Sequence, residues 1–179
     1  ETIRSDHEWK YDLSPITFNC IYGGEDYDAR REQKGWNQVG FNDSHWRPVV
    51  VQEAPKGVLR SQMAPPVKIM ERYDIQKVTK LNSEQVMAAS KSTKRTAGFP
   101  EITVRGKRGQ KVTLIVAEAL TDEGACNQRQ TGRQHYYEYT LKGEGDEIWH
   151  PRFSYYGFRY IQVEGAVLKG QKNPQKLPV

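Results

Sequence analysis

The sequence lacks the long apolar segments and the cysteine content that mark two broad classes of protein. No apolar run approaches the roughly 20 residues that a helix needs to cross a bilayer, so we expect no membrane partner. Only two cysteines, Cys20 and Cys126, stand among 179 residues. Small domains built on disulfides carry more than this, so we expect two free thiols, with one disulfide between them as the alternative.

Motifs that bind zinc, nucleotides or nucleic acids are also missing. The four histidines have no zinc spacing, and there is neither a Walker loop nor a dinucleotide fingerprint. Basic clusters stand at residues 91–95 and 105–111, but no aromatic residue is interleaved with either, as single-strand binding requires. The net charge of +5 is otherwise spread along the chain, and we expect no nucleic-acid partner.

The composition that remains is typical of a folded, strand-rich protein. Hydrophobic residues make up 36% of the chain and charged residues 27%, whereas aromatic residues reach 11%. Disordered chains are poor in aromatic residues. We therefore expect a core built from a few large rings.

Short strands bounded by turn residues are predicted throughout the second half of the sequence. Strands are predicted at 101–105 and 110–118, and the Gly-rich segment 106–109 predicts a hairpin that joins them. A further strand is predicted at 135–141. In the 110–118 strand, Val112, Leu114 and Val116 are expected on one face and Thr113, Ile115 and Ala117 on the other.

The aromatic run 153–165 predicts the last strand, which Gly157 interrupts as a bulge or bend would. No helix longer than about two turns is predicted anywhere. Turn-bounded short strands of this kind favour sandwiches. The predicted fold class is all-β, with two β-sandwich (jelly-roll-like) units of which the first is incomplete.

The first half of the sequence has weaker strand patterns. We predict a strand at 17–22, extended structure at 49–51 and an edge strand opened by prolines at 65–69. The polar stretch 75–95 predicts a domain junction or a long exposed loop. The predicted division is a first module at 1–76, a linker or entering strand at 77–96, a second module at 97–166 and a polar tail at 167–179.

Carboxylates are the candidates for catalytic acids, because glycoside hydrolysis usually needs two of them at a set separation. Three groups of carboxylates fall in predicted turns. They are Glu25, Asp26 and Asp28; Asp122 and Glu123; and Glu144, Asp146 and Glu147. Asp is simply a good turn former there. Glu118 ends an apolar strand, where a structural carboxylate at a sheet edge outranks a general acid. We therefore predict no catalytic residue in this chain.

A sugar or metal site is the remaining hypothesis for the first half. Trp36 and Trp46 offer flat apolar faces to a pyranose ring, and Asp28 is a candidate to accept sugar hydroxyls or to bind calcium, which prefers oxygen ligands. The alternative for Trp46 is a place in the core. For Trp36, beside Gly35 in a polar loop, both interpretations stay open. No cofactor is expected, with calcium at Asp28 as the alternative.

The motifs resemble a known family. GEDYDARREQKGWNQVGFNDSHWRPV resembles the Gly-Glu-x-x-Asp-x-Arg, Gly-Trp and Phe-x-Asp-Ser-x-Trp signature of the N-terminal β-sandwich module of bacterial α-L-rhamnosidases. VTLIVAEALTDEG and YYEYTLKGEGDEIWHPRFSYYGFRYIQVEG resemble the concanavalin-like sandwich that follows it, with Gly-Phe-Arg-Tyr at 157–160 as the sharpest match. In some members an Asp-Asn pair binds calcium and rhamnose. Asp28 matches the Asp, and Ala29 stands where the Asn would be.

The resemblance implies a glycoside hydrolase of the family 78 type that is periplasmic or secreted. Its (α/α) barrel would carry the catalytic acids and hydrolyse terminal α-L-rhamnosyl groups with inversion of the anomeric configuration. This chain would be a non-catalytic part, with that barrel as its partner. The alternative is an independent carbohydrate-binding module for rhamnose-containing glycans. A purely structural protein-interaction domain is a third interpretation.

Overall fold

The computed structural model describes residues 4–54, 56–82, 85–90, 96–131 and 135–179. They fall into a smaller unit, Glu1–Ser14 with Gln33–Arg72, and a larger unit, Pro15–Glu32 with Tyr73–Val179. The basic cluster predicted at 91–95 lies outside the described residues. The module boundaries predicted at 76, 96 and 166 stay a prediction.

Strands form nearly all the regular structure, which confirms the all-β prediction. Two single turns of 3-10 helix lie at Ala29–Arg31 and Arg129–Thr131, and within the described ranges no helix is long and apolar enough to span a membrane. In chain order the strands are β1 (Lys10–Tyr11), β2 (Ile16–Cys20), β3 (Gly24–Asp28), β4 (Arg47–Pro48), β5 (Ile75–Lys80), β6 (Gln85–Ser90), β7 (Thr96–Gly98), β8 (Ile102–Arg105), β9 (Lys111–Ala117), β10 (Ala119–Leu120), β11 (Cys126–Asn127), β12 (Tyr136–Thr140), β13 (Asp146–Trp149), β14 (Tyr156–Phe158) and β15 (Tyr160–Glu164).

The larger unit is organised around a seven-stranded sheet with the order β2-β3-β12-β9-β15-β6-β5. The β3–β12 pair is parallel and the other neighbours are antiparallel. Two-stranded ribbons, β8–β13, β7–β14 and β10–β11, accompany this sheet. The smaller unit has one short pair, β1–β4.

The core lies on one face of the seven-stranded sheet. Val112, Leu114 and Val116 are buried, and their neighbours in β9 are not fully buried apart from Ala117, so the predicted alternation is confirmed. Tyr137 and Tyr139 lie opposite Leu114 and Val112. Burying each such valine or leucine contributes about 1.5–3 kcal/mol.

The β8–β13 ribbon contributes to the same core. Val104 of β8 and Trp149 of β13 are both buried in the cluster formed by the large sheet. The Trp149 ring stacks on Tyr139 with 5.1 Å between the ring centroids. Such aromatic pairs add about 0.5–1.5 kcal/mol beyond the area they bury. This second layer over the sheet makes the larger unit a sandwich.

The prediction of a hairpin at 106–109 is wrong. A turn is present, since the Gln110 N–H donates to the Lys107 carbonyl at 3.1 Å, but β8 pairs with β13 whereas β9 pairs with β12 and β15. The turn therefore carries the chain from one layer to the other. Backbone bonds hold it to Leu141, which donates to Gln110 and accepts from Gly109.

The strand predicted at 153–165 is divided in two. Its residues form β14, which pairs with β7, and β15, which belongs to the seven-stranded sheet. The break is at Arg159, whereas Gly157 lies inside β14 opposite Ala97. The run changes pairing partners, from β7 to β6 and β9, so it is not one continuous strand.

In the first half, the strand predicted at 17–22 is confirmed as β2. The edge strand predicted at 65–69 is wrong, because the structure assigns no strand to that segment. The extended run predicted at 49–51 follows directly on β4, and the Val49 N–H donates to the Trp9 carbonyl at 3.1 Å, whereas Val50 and Val51 belong to no strand. The exposed valines Val50 and Val67 have no sheet to pack on. Two successive prolines at 65–66 also remove two backbone donors that pairing would use.

Candidate functional site

Asp28 ends β3 and serves as the N-cap of the 3-10 turn Ala29–Arg31. Its two carboxylate oxygens accept hydrogen bonds from Arg30 Nε and Nη2, both at 2.8 Å, and Oδ1 also accepts from the Arg30 backbone N–H. Arg31 Nε lies 3.6 Å from Oδ2. The Arg30 side chain is the main reason that the pKa of Asp28 lies below its ordinary value. The carboxylate is therefore held charged and occupied by its own chain.

The environment of Asp28 bears on the predicted calcium site. The next side chain is the buried methyl group of Ala29, which provides no oxygen ligand. Across the residues whose placement is described, no group of three or more His, Cys, Asp or Glu side chains is arranged to hold a metal ion. A cation at Asp28 would have to displace Arg30. Calcium binding there stays a prediction.

Trp36 and Trp46 both belong to the smaller unit, whereas Asp28 belongs to the larger one. Trp46 is half-buried, and its indole N–H donates to Gln33 Oε1 at 2.8 Å. Its ring also packs against Phe41 at 5.7 Å between centroids. Trp36 has 62% of its surface exposed, so its ring is accessible to a ligand.

Gln33 matches no motif in the sequence and was not among the candidate residues. Its amide oxygen accepts from the Trp46 indole and lies 3.1 Å from His45 Nε2, while its amide nitrogen donates to Asp12. One polar side chain thus links three parts of the smaller unit. Only the three-dimensional arrangement reveals this role, since nothing in the spacing of these residues marks it.

The Gly-Glu pair that opens the signature has a structural role in the larger unit. Glu25 is fully buried, and its carboxylate accepts from the backbone N–H groups of Arg152 and Phe153 at 3.1–3.2 Å and from Asn19 Nδ2 at 2.9 Å. Gly24 has φ +100°, and a Cβ atom there would lie 1.7 Å from the Tyr136 carbonyl oxygen. Only glycine allows this close parallel approach of β3 to β12.

Glu147 holds a second loop in a similar way. It is buried, and its carboxylate accepts from the Tyr139 hydroxyl at 2.8 Å and from the backbone N–H groups of Lys142 and Gly143 at 3.0 and 2.8 Å. Burial, with this hydrogen bond second, raises the pKa of Tyr139. The turn between β12 and β13 is therefore fixed to the core by one carboxylate.

The expectation that all candidate carboxylates lie in turns is partly wrong. Glu25, Asp26 and Asp28 lie in β3, and Asp146 and Glu147 lie in β13. Glu118, Asp122, Glu123 and Glu144 are exposed between strands. Parallel pairing with β12, more than 100 residues away, converts the predicted first turn into a strand.

Asp26 lies on the face of the sheet opposite Glu25 and differs from Asp28 in its surroundings. Burial is the main reason that its pKa is raised, and Glu138, its neighbour across the β3–β12 pair, adds to the effect. Lys111 is engaged with Glu138 at 2.6 Å. The pKa values of two carboxyl groups in one strand are thus shifted in opposite directions by their surroundings.

Cys20 and Cys126 are both free thiols. Cys126 lies in β11, and its thiol donates to the Ile115 carbonyl oxygen at 3.4 Å. Burial raises the pKa of the Cys126 thiol to about 11. A thiol held in its neutral form at pH 7 is a poor nucleophile.

An apolar cleft of about 720 Å³ opens in the larger unit between β5, β8 and the chain from Ala166 to Lys169. Its lining includes Val104 and Val163 at the base and Val179 at the rim. Ile75 and Val78 remain 45% and 42% exposed. The cleft therefore leaves apolar side chains of β5 partly open to solvent.

Comparison with known families gives two matches. The alpha-L-rhamnosidase N-terminal domain matches residues 1–71, and the bacterial alpha-L-rhamnosidase concanavalin-like domain matches residues 82–178. An alpha-L-rhamnosidase of Formosa agariphila is 35% identical over 173 residues, and one of Streptomyces avermitilis is 33% identical over 170 residues. Each match covers 92% of this chain, but only 18% and 16% of the respective relative. The chain thus spans less than a fifth of these relatives.

Solved structures agree with this assignment. The alpha-L-rhamnosidase from Dictyoglumus thermophilum superposes with a TM-score of 0.85 at 32% identity, over 99% of this chain and 20% of that one. The Streptomyces avermitilis alpha-L-rhamnosidase complexed with L-rhamnose gives 0.83 at 31% identity, over 99% of this chain and 17% of that one. The chain therefore belongs to the bacterial alpha-L-rhamnosidase family, of which it contains the N-terminal and concanavalin-like domains.

Proposed function

We propose that this chain is the non-catalytic β-sandwich part of an α-L-rhamnosidase-type glycoside hydrolase. In that role it supports a catalytic (α/α) barrel that hydrolyses terminal α-L-rhamnosyl groups. The observation that carries the proposal is the use of the signature carboxylates. Glu25, Asp28 and Glu147 are all engaged by groups of their own chain.

Glycoside hydrolysis requires a carboxylic acid and a carboxylate that face the substrate, about 6.5–9.5 Å apart in inverting enzymes. Glu25 and Glu147 instead accept backbone N–H groups inside the fold, and both are almost completely buried. Asp28 forms a two-bond ion pair with Arg30. Releasing Glu25 or Glu147 to a sugar would leave their backbone donors inside the fold without partners, which costs about 1–3 kcal/mol each.

The apolar cleft supports a role in domain contact. Its exposed rim residues, Ile75 and Val78, belong to an outer strand of the seven-stranded sheet. Interfaces between domains of one chain typically bury such surface. The relatives, more than five times as long as the matched region, provide the context in which a further domain would cover it.

The test is an activity assay on the purified chain with a chromogenic α-L-rhamnoside. We expect no hydrolysis above the buffer rate. Turnover that survives repurification and disappears in Glu118→Gln or Asp28→Asn would overturn the proposal. The first variant removes an exposed carboxylate and the second removes an engaged one, so the pair also identifies which kind of site is responsible.

Binding of rhamnose-containing glycans is the second candidate function, and the exposed ring of Trp36 favours it. A relative of known structure is complexed with L-rhamnose. In this chain, Trp46 is partly engaged through Gln33 and Asp28 through Arg30. A binding site here would therefore rely mainly on stacking against Trp36.

A further inference from the structure

Two turns of the larger unit are joined by a side chain, and both carry exposed cations. The Gln110 side chain accepts the Lys107 N–H at 2.7 Å and donates to the Lys176 carbonyl at 2.9 Å. Arg108 lies in the first of these turns, and its Nη1 donates to the carbonyl of Lys142, just after β12, at 3.4 Å. These contacts bring four cationic residues to one end of the sandwich. We call it the basic end, and its members are Lys107, Arg108, Lys142 and Lys176.

Only part of this charge is neutralised by the chain itself. Lys142 Nζ pairs with Glu32 at 2.7 Å. Glu144 follows in the same turn and adds one exposed carboxylate. The other three members are exposed and form no ion pair with any residue in the described ranges; they are Lys107, Arg108 and Lys176. The basic end therefore keeps an excess of positive charge that an outside group can use.

The backbone of Lys176 is a second, independent observation at this end. Its φ of 54° lies in the left-handed region, which is costly for residues other than glycine and asparagine. The turn is fixed by Asn173, whose side chain donates to the Leu177 carbonyl at 2.7 Å and accepts the Leu177 N–H at 2.8 Å. A lysine held in a conformation that suits glycine indicates a use for its side chain.

The composition of these turns indicates the kind of partner. Residues 106–110, 142–145 and 173–176 contain no aromatic side chain. Contact surfaces between proteins are enriched in aromatic residues and depleted in lysine, and proteins that bind single-stranded nucleic acid stack the bases on aromatic rings. A polymer with regularly spaced anionic groups needs only exposed cations of matching sign.

We propose that the basic end binds an anionic polysaccharide, whose carboxylate groups contact Lys107, Arg108 and Lys176. The Arg108 guanidinium can donate two parallel hydrogen bonds to one carboxylate, and each lysine adds a point charge. The inference rests on the proposed function, because a sandwich that belongs to a glycoside hydrolase would hold a polymeric substrate close to the catalytic domain.

The test is titration of the chain with polygalacturonate, followed by isothermal titration calorimetry at low salt, with neutral dextran as the comparison polymer. Lys107→Gln/Arg108→Gln should weaken the affinity at least about fivefold. The matched control, Lys77→Gln/Lys80→Gln, removes the same charge from β5, three strands away from β9, and should stay within about twofold of the parent chain. Lys176→Gly should weaken binding about twofold or more without lowering the thermal unfolding midpoint, because glycine accepts the left-handed backbone.

Several outcomes would overturn the proposal. Equal losses in the two double variants would show that net charge alone, and not the basic end, attracts the polymer. Absence of polygalacturonate binding at low salt, or equal binding of dextran, would exclude recognition of an anionic polysaccharide. Tighter binding of duplex DNA than of polygalacturonate at equal charge concentration would assign the basic end to nucleic acid instead. None of these readouts involves rhamnoside hydrolysis, so this inference and the proposed function can fail separately.

Discussion

The larger and the smaller unit obtain their structure from different kinds of interaction. In the larger unit, alternating side chains of β9, β12 and β15 bury a continuous apolar cluster with the β8–β13 ribbon. In the smaller unit, many apolar side chains stay exposed, among them Leu13, Val39, Leu59 and Met63. Its described contacts are mainly polar, such as the Lys10–Asp43 ion pair and the links made by Gln33.

This difference shows where the chain can fold on its own contacts. Apolar burial is the dominant stabilising term in folding, and the larger unit has most of it. Exposed polar links contribute little, since an exposed ion pair adds about 0–1 kcal/mol. We infer that the free energy of unfolding measured for this chain is set mainly by the larger unit.

The largest expected effect comes from a matched pair of leucine truncations. Leu114→Ala in the fully buried centre of β9 should lower the free energy of unfolding by about 2–5 kcal/mol, through lost burial and the cavity left behind. Leu59→Ala in the smaller unit, where the side chain is 102% exposed, should change it by less than about 0.5 kcal/mol. Urea titration followed by tryptophan fluorescence measures both. Equal losses would contradict the comparison.

A smaller effect is expected from the buried signature carboxylate. Glu25→Gln keeps the size of the side chain but turns an amide group towards the Arg152 and Phe153 N–H groups, so the free energy of unfolding should fall by about 1–3 kcal/mol. Glu144→Gln, on an exposed turn, is the matched control and should be near neutral. Thermal unfolding by circular dichroism reports both, and a neutral Glu25→Gln would argue against a structural role.

Neutralising Asp26 or Asp28 of β3 should change the free energy of unfolding in opposite directions, each by about 0.5 kcal/mol or slightly more. The pKa of Asp28 is lowered by Arg30, so its contribution to stability is present above the ordinary pKa of about 4 and is lost as the pH falls below it. The pKa of Asp26 is raised, first by burial, so its charge destabilises the fold at neutral pH and its protonation at lower pH relieves this.

At pH 7, Asp28→Asn should therefore lower the midpoint of chemical unfolding and Asp26→Asn should raise it. Both differences should shrink as the pH falls towards 3, because the carboxyl of Asp26 becomes neutral in the native state and that of Asp28 becomes neutral in the unfolded chain. Unfolding midpoints measured from pH 3 to pH 7 test this. A change of the same sign in both variants would show that their neighbours do not set the difference.

The sequence was most informative where structure depends on neighbouring residues. The alternation that sets Val112, Leu114 and Val116 on one face predicted β9, because the period of a strand is local, and the structure shows that this face is the buried one. The hairpin at 106–109 failed because β8 buries Val104 against the sheet only by pairing with β13. Partner choice between strands depends on such distant contacts, which no local pattern contains.

The candidate site follows the same division. The motif containing Glu25 and Asp28 was visible in the sequence, but its role was not. Gly and Asp indicated a turn, whereas parallel pairing with β12 makes the segment a strand and turns Glu25 into the core. The exposure of Trp36 and the engagement of Trp46 by Gln33 likewise depend on packing that the sequence does not display.

Isothermal titration of the chain with L-rhamnose, with calcium and then with chelator, tests the central claim most directly. The claim is that the signature residues of this chain hold its fold and leave a weak sugar site at most. We predict a dissociation constant weaker than about 1 mM, less than about 4 kcal/mol of binding, in both conditions. A calcium-dependent dissociation constant in the micromolar range, lost in Asp28→Ala and in Trp36→Ala, would contradict it and make glycan binding the function of this chain.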